Sequence, residues 1–242
     1  MRILRLFPLT LILTALLSSP GQALPSSHRQ LFPQVVDPPH IFNAPLPASR
    51  PVSADWFSDA VFIGDARLGE LVNAGSFSPG LSLTQIGLNV RDLRSASLFS
   101  LQGQRATLRQ ILEGSDWKKV YLMLGFNEAA WMDDGEFYEE YAALIDDLRA
   151  LLPDAQIYLQ TLIPVTVSRA VAQAPDNSLL ADRSALLTRL AQAKQVYLVA
   201  VGAFFTESNG TLSPGLSTDG LHLTAQGNER WFQYLRTHTM GT

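Results

Sequence analysis

Two textures alternate along the chain. Short apolar runs at residues 60–63, 82–86, 119–124, 156–162 and 195–201 read as strands. Between them lie longer stretches in which apolar residues return every three or four positions. The clearest covers 134–152, where Phe137, Tyr141, Leu144, Ile145, Leu148 and Leu151 share one helical face while acidic residues and Arg149 take the other. Residues 179–193 and 224–237 follow the same rule.

The run Val120-Tyr121-Leu122-Met123-Leu124 is apolar on both faces, as a strand buried between two layers must be. Strand and helix alternate throughout, which predicts an α/β fold: a three-layer α/β/α sandwich around a short parallel sheet. Ligands of such sheets sit outside the carboxyl ends of the strands, so the residues that follow each strand are the ones to search for chemistry.

The two ends of the pattern differ from its middle. Met1-Arg2-Ile3-Leu4-Arg5, the apolar run from Leu6 to Leu17 and the small-residue stretch ending at Ala23 have the three-part layout of a secretory signal, with cleavage expected after Ala23. That run is too short to span a bilayer comfortably, so no stable membrane insertion is expected once residues 1–23 are removed. The destination is then secreted or periplasmic; an uncleaved signal would instead tether the domain outside the membrane. Residues 24–54 carry Pro25, Pro33, Pro38, Pro39, Pro45, Pro47 and Pro51 with no apolar period, and read as a proline-rich linker to a domain at 55–242.

Charge and cysteine content narrow the function classes. A net charge of -4 with no block of like charge gives no footprint for nucleic acid or an anionic membrane. With no cysteine in 242 residues, disulfides, thiolate catalysis and cysteine metal sites are all excluded. The four histidines lack ligand spacing, so no metal or organic cofactor is implied.

Two segments placed after strands and a third in the loop before the last helix could carry chemistry. In Ile63-Gly64-Asp65-Ala66-Arg67, glycine permits a sharp turn, Asp65 can accept backbone N–H groups at a helix start, and Ala66 would be presented over the sheet edge. A glycine turn with an aspartate cap also explains this segment. Gly125-Phe126-Asn127-Glu128 is a second glycine turn with a side-chain amide, able to donate to an oxyanion or to close its own loop. In Ser217-Thr218-Asp219-Gly220-Leu221-His222, an aspartate three residues before a histidine can fix the imidazole tautomer, as a general base requires, or can stand beside it in a surface turn. Arg67 at the helix start could grip a carboxylate, phosphate or sugar hydroxyl, or be solvated. Trp131 and Phe126 could form an apolar or sugar-stacking wall.

In order and placement these segments resemble the SGNH (GDSL-type) ester hydrolases. Gly64-Asp65-Ala66 resembles the Gly-Asp-Ser block, Gly87 in Ile86-Gly87-Leu88-Asn89 the glycine block, Gly125-Phe126-Asn127-Glu128 the Gly-x-Asn-Asp block, and Asp219-Gly220-Leu221-His222 the Asp-x-x-His block. The likeness covers roughly residues 55–240 and implies an SGNH/flavodoxin-like fold. It implies His222 as general base, Asp219 as its orienting partner, and Gly87 and Asn127 as oxyanion donors, with Gly125, Asp65 and Arg67 completing the substrate-binding set. The ligand implied is a small-molecule or polysaccharide ester.

The departure is Ala66, which stands where the family keeps its serine nucleophile. Loss of that serine lowers kcat by roughly 10⁶ in a serine hydrolase, leaving only the oxyanion hole and binding to assist water. The expectation is an exported carbohydrate- or lipid-ester hydrolase-like protein whose activity is impaired or lost. The alternative is a non-catalytic protein that binds an acylated sugar or similar ligand in the same pocket. Direct activation of water by Asp219 and His222, and a displaced hydroxyl from Ser217 or Thr218, are the remaining routes to activity.

Overall fold

The computed structural model describes residues 42–172 and 175–241, so the leader at 1–23 and the proline-rich stretch as far as residue 41 lie outside the described residues. After a 3-10 turn at Ala54–Phe57 the chain runs β1 (Ala60–Gly64), α1 (Ala66–Asn73), β2 (Leu81–Thr84), α2 (Val90–Ser95), β3 (Phe99–Leu101), β4 (Gln104–Ala106), α3 (Leu108–Leu112) and β5 (Lys119–Met123). It continues through α4 (Asp134–Leu151), β6 (Gln156–Gln160), α5 (Val167–Ala172), α6 (Asn177–Lys194), β7 (Tyr197–Val199), α7 (Val201–Phe205) and α8 (Ala225–Thr237). Five strands form one parallel sheet in the order β2-β1-β5-β6-β7, with helices on both faces: the three-layer α/β/α sandwich the pattern predicts, in flavodoxin-like order.

A ladder of aromatic rings runs across the sheet. Phe62, Tyr121, Tyr158 and Tyr197 are register partners on β1, β5, β6 and β7. Their ring centroids are 4.8, 4.5 and 5.3 Å apart in that order, all stacked. Each such contact contributes about 0.5–1.5 kcal/mol beyond its buried area. The Tyr121 hydroxyl, buried at the centre, pairs with Thr239 Oγ1 at 2.8 Å and accepts from Trp56 Nε1 at 3.2 Å. Phe57 and Phe232 of α8 pack over this face, and the opposite face carries α4 and α6, which pack on each other.

Where strand and helix bounds differ from expectation, turns explain it. The run 82–86 pairs only as far as Thr84, because Gln85 N–H donates back to Gly64 O and Gly87 follows with φ +76°. Gln195 caps α6 in the left-handed region, which delays β7 to Tyr197. Helices α2 and α3 are five or six residues long and show no full apolar period, and the β3–β4 hairpin between them turns on Gln102 and Gly103, both at positive φ. Residues 24–54 need a correction. Leu46 N–H donates to Leu198 O, Ser49 N–H to Thr237 O and Val52 N–H to Arg236 O, so the part of that stretch described here is seated on β7 and α8 rather than forming a linker.

Replacing the central ring tests the ladder. Tyr121→Leu removes two stacks and leaves the Trp56 N–H and the Thr239 hydroxyl without their partner, so we expect a loss of about 3 kcal/mol in unfolding free energy by urea titration. A loss below about 1 kcal/mol would contradict the central place of this ring.

Candidate active site

The strand order reverses beside β1: the chain moves outward to β2, then returns to place β5 on the other side. Helices leaving β1 and the strands around it therefore part to opposite faces, which opens a crevice at the carboxyl edge. There the structure forms a cavity of about 170 Å³, lined by Asp65, Ala66, Arg67, Gly87, Asn127 and His222 and bounded by Ile86, Phe126 and Leu221. A larger groove of about 600 Å³ beside α6 is lined by no ionisable side chain and so offers no acid-base pair.

Asp65 caps α1, its Oδ1 accepting from Arg67 N–H at 3.0 Å. The next residue, Ala66, opens the helix and puts its methyl group in the cavity wall, where the first backbone N–H groups have no intrahelical carbonyl. Arg67 is only 2% exposed, against the expectation of a residue at the pocket mouth or in solvent. Its Nη1 donates to Ile163 O at 2.9 Å, its guanidinium lies 4.3 Å from the Phe126 ring centroid, and Nε is 3.8 Å from Asp65 Oδ2. Burial pulls its pKa below the ordinary arginine value, and Asp65 and Glu70 oppose that shift.

Asn127 donates one amide hydrogen to Leu88 O at 2.9 Å, which leaves the other for a ligand. Its carbonyl accepts from Trp131 Nε1 at 2.8 Å. Gly87 sits across from it at positive φ with open space around its Cα. Gly125 does not line the cavity; its φ of +129° turns the chain, and a methyl group there would press on Leu162 and Phe137 at 3.2 Å.

Asp219 and His222 form one rigid unit. Asp219 Oδ1 accepts the N–H groups of Leu221 and His222 at 2.9 and 2.8 Å, while Oδ2 lies 2.7 Å from His222 Nδ1. Burial pushes the Asp219 carboxyl up, but the His222 N–H, the imidazole and the Leu221 N–H outweigh it and hold the carboxyl at about 2. Among the described residues the other ring nitrogen, Nε2, has no hydrogen-bond partner, so the pair can accept a proton from a group in the cavity. Gly220 makes this turn possible: its φ is +92°, and a Cβ there would lie 2.7 Å from both Thr166 Oγ1 and Arg169 Cβ.

Neither displaced hydroxyl serves as a nucleophile in this geometry. Ser217 Oγ donates to His222 O and accepts from Gly220 N–H, both at 2.8 Å, and Thr218 Oγ1 also donates to His222 O. Both hold the turn, and neither lines the cavity.

Three further residues support the site; Glu70 and Arg183 lie outside the motifs, and Glu128 ends one of them. Glu70 lies one turn beyond Ala66 on the same helix face; burial pushes its carboxyl up, the charge of His222 pulls it down, and Asp219 and Asp65 push it up. Arg183 stands among Leu180, Leu186 and Leu187 on the buried side of α6, a charge at core spacing. It donates to Met132 O and to Asp134 Oδ1, clamping the loop that carries Asn127. Glu128 is fully buried and accepts Val90 N–H at 3.0 Å through Oε1, tying that loop to α2. Among the described residues no group of three or more His, Cys, Asp or Glu side chains could hold a metal ion.

The model of the family described as GDSL-like Lipase/Acylhydrolase matches residues 66–230, more than half of the chain. Among solved structures, a protein from Streptococcus pneumonia named for platelet activating factor is 23% identical over 74% of this chain and 82% of its own, with a TM-score of 0.60. A GDSL-like lipase from Bacteroides thetaiotaomicron is 15% identical over 73% of this chain and 85% of its own, TM-score 0.53. The acetylxylan esterase Axe2 from Geobacillus stearothermophilus is 16% identical over 73% and 91%, TM-score 0.52. These likenesses show a shared fold. No curated protein sequence matches the chain.

Burial raises the Glu128 carboxyl to about 7, with the Val90 N–H pulling the other way. A raised carboxyl means that the folded state holds its proton more tightly than the unfolded chain does. The stability this one group contributes is therefore fully present below about pH 4.5 and is lost as pH rises through 7, roughly 3 kcal/mol in all. Glu128→Gln keeps the acceptor for Val90 and removes the titration. We expect its melting temperature to match the unmodified protein at pH 5 and to exceed it at pH 8; equal melting at both values would contradict this assignment.

Proposed function

Because the chain belongs to the GDSL-like lipase/acylhydrolase family, we propose that it is an exported protein that holds short acyl esters in the cavity beside Ala66 and has lost ordinary acyl-enzyme hydrolysis. The observation that carries this reading is Ala66 itself: the first residue of α1 lines the same cavity as His222 and offers only a methyl group. In the family a serine hydroxyl attacks the ester carbonyl from this place. Its proton passes to the histidine, and backbone and amide N–H groups hold the oxyanion until the alcohol leaves. Here the base and the donors stand ready, and the attacking oxygen is missing.

Cavity size supports a short acyl group. A volume of about 170 Å³ equals roughly six waters at ~30 Å³ each, room for an acetyl group and part of its alcohol rather than for a long chain. An acetylxylan esterase among the structural neighbours supports an acylated glycan as the class of ligand. The leader pattern at residues 1–23 supports export to the periplasm or the cell exterior.

A second reading is favoured by the Asp219–His222 pair, whose 2.7 Å contact and two supporting backbone donors are what a general base for water would need. In that case His222 takes a proton from water, and hydroxide adds to the carbonyl without a covalent enzyme intermediate.

Hydrolysis of 4-nitrophenyl acetate separates the two. We expect the unmodified protein to stay near the uncatalysed rate, Ala66→Ser to raise kcat/KM at least about a thousandfold, and Ala66→Ser with His222→Ala to lose that gain. Activity in the unmodified protein that His222→Ala abolishes would instead establish the water route.

A further inference from the structure

Six large apolar side chains are exposed among the described residues, and two of them stand at the cavity: Ile86 lines it, and Trp131 is bonded to Asn127 of its wall. Trp131 differs from Ile86 in being fixed. Its indole N–H is spent on Asn127 O at 2.8 Å, so the ring is tied to a residue of the cavity wall. The Arg91 guanidinium lies 5.1 Å from the ring centroid and is ion-paired to Glu136. Even so, Trp131 remains 52% exposed.

The chemistry around this ring selects its occupant. A fixed indole whose polar edge is used internally presents only a flat apolar surface, with little entropy left to lose on binding. An acyl chain would match that surface but would gain nothing from the ion pair whose arginine lies over the ring. A pyranose ring has an apolar C–H face for the indole and a belt of hydroxyls that Arg91 and Glu136 can hydrogen-bond. The small cavity next to it takes the acyl group, which leaves the sugar that carries or adjoins the ester outside, at the level of Trp131.

We infer that Trp131, with Arg91 and Glu136, forms a sugar-binding subsite beside the cavity, so that the ligand is a glycan rather than a lipid. This rests on the proposed ester-binding site for its placement, but its binding test does not require turnover. Calorimetric titration of the unmodified full chain with xylotetraose, cellotetraose and chitotetraose, none of them O-acylated, is expected to give saturable binding to at least one. Trp131→Ala weakens that binding at least tenfold. Trp131→Phe, which keeps a ring but loses the N–H to Asn127, stays within about threefold.

Absence of binding to all three sugars, or equal affinity in Trp131→Ala, overturns the subsite. So does Trp131→Phe as weak as Trp131→Ala, which would assign the residue to holding Asn127. Sedimentation with phosphatidylcholine vesicles in a Trp131-dependent manner, without sugar binding, would assign the rim to lipid and also overturn it. Should Ala66→Ser fail to hydrolyse 4-nitrophenyl acetate while sugar binding persists, the ester-site reading fails and the subsite stands.

Discussion

At the end of β1 the backbone passes between β5 and α1 with no room for a side chain. A methyl group on Gly64 would lie 2.6 Å from Met123 O and 2.7 Å from Leu68 Cδ2. This close approach sets where α1 starts, and hence where the residue at position 66 meets the cavity. The other components are brought to that point by turns of the same kind. Gly87 and Gly125 bend the chain after β2 and β5 at positive φ, and Gly220 does so in the turn that carries His222. The aromatic ladder beneath holds β1, β5, β6 and β7 in the register on which these turns depend.

Charges are buried around the cavity in a way that a purely structural turn would not need. Asp65 and Arg67 are both almost wholly removed from solvent, and Arg67 keeps two nitrogens without a hydrogen-bond partner. Glu128 is buried nearby with one carboxylate oxygen unpartnered, and it relieves the cost by holding its proton up to about pH 7. Such an arrangement is costly for stability and gives a preorganised polar floor to a small cavity. To that floor Ala66 contributes only a methyl group.

Much of this was legible in the sequence. The double-sided run around Tyr121 specified a buried parallel strand, and the helical spacing of Phe137, Tyr141 and Leu148 specified α4. Glycine turns with a short polar side chain, Gly64-Asp65 after β1 and Gly125-Phe126-Asn127 after β5, pointed to the edge of the sheet where the cavity lies. Other features depended on tertiary partners that no local pattern encodes. Arg67 reads as a solvated helix-start residue until Phe126 and Ile163 close over it, and Leu46 reads as linker until its N–H meets Leu198 O. Arg183 was readable in principle, as a charge among the leucines of α6, but only the loop it clamps explains it. Gly125 belongs to the motif yet serves the turn rather than the cavity wall.

Under the proposed function the cavity lacks one oxygen atom of an esterase site, and covalent labelling reads that atom directly. Incubation with a small fluorophosphonate ester, followed by intact-mass and peptide mass spectrometry, is predicted to leave the unmodified protein unlabelled. Ala66→Ser is predicted to gain a single adduct on the peptide that contains position 66, and adding His222→Ala to suppress it. A folded Ala66→Ser protein that gains no adduct, or an unmodified protein labelled elsewhere in the cavity, would contradict the account.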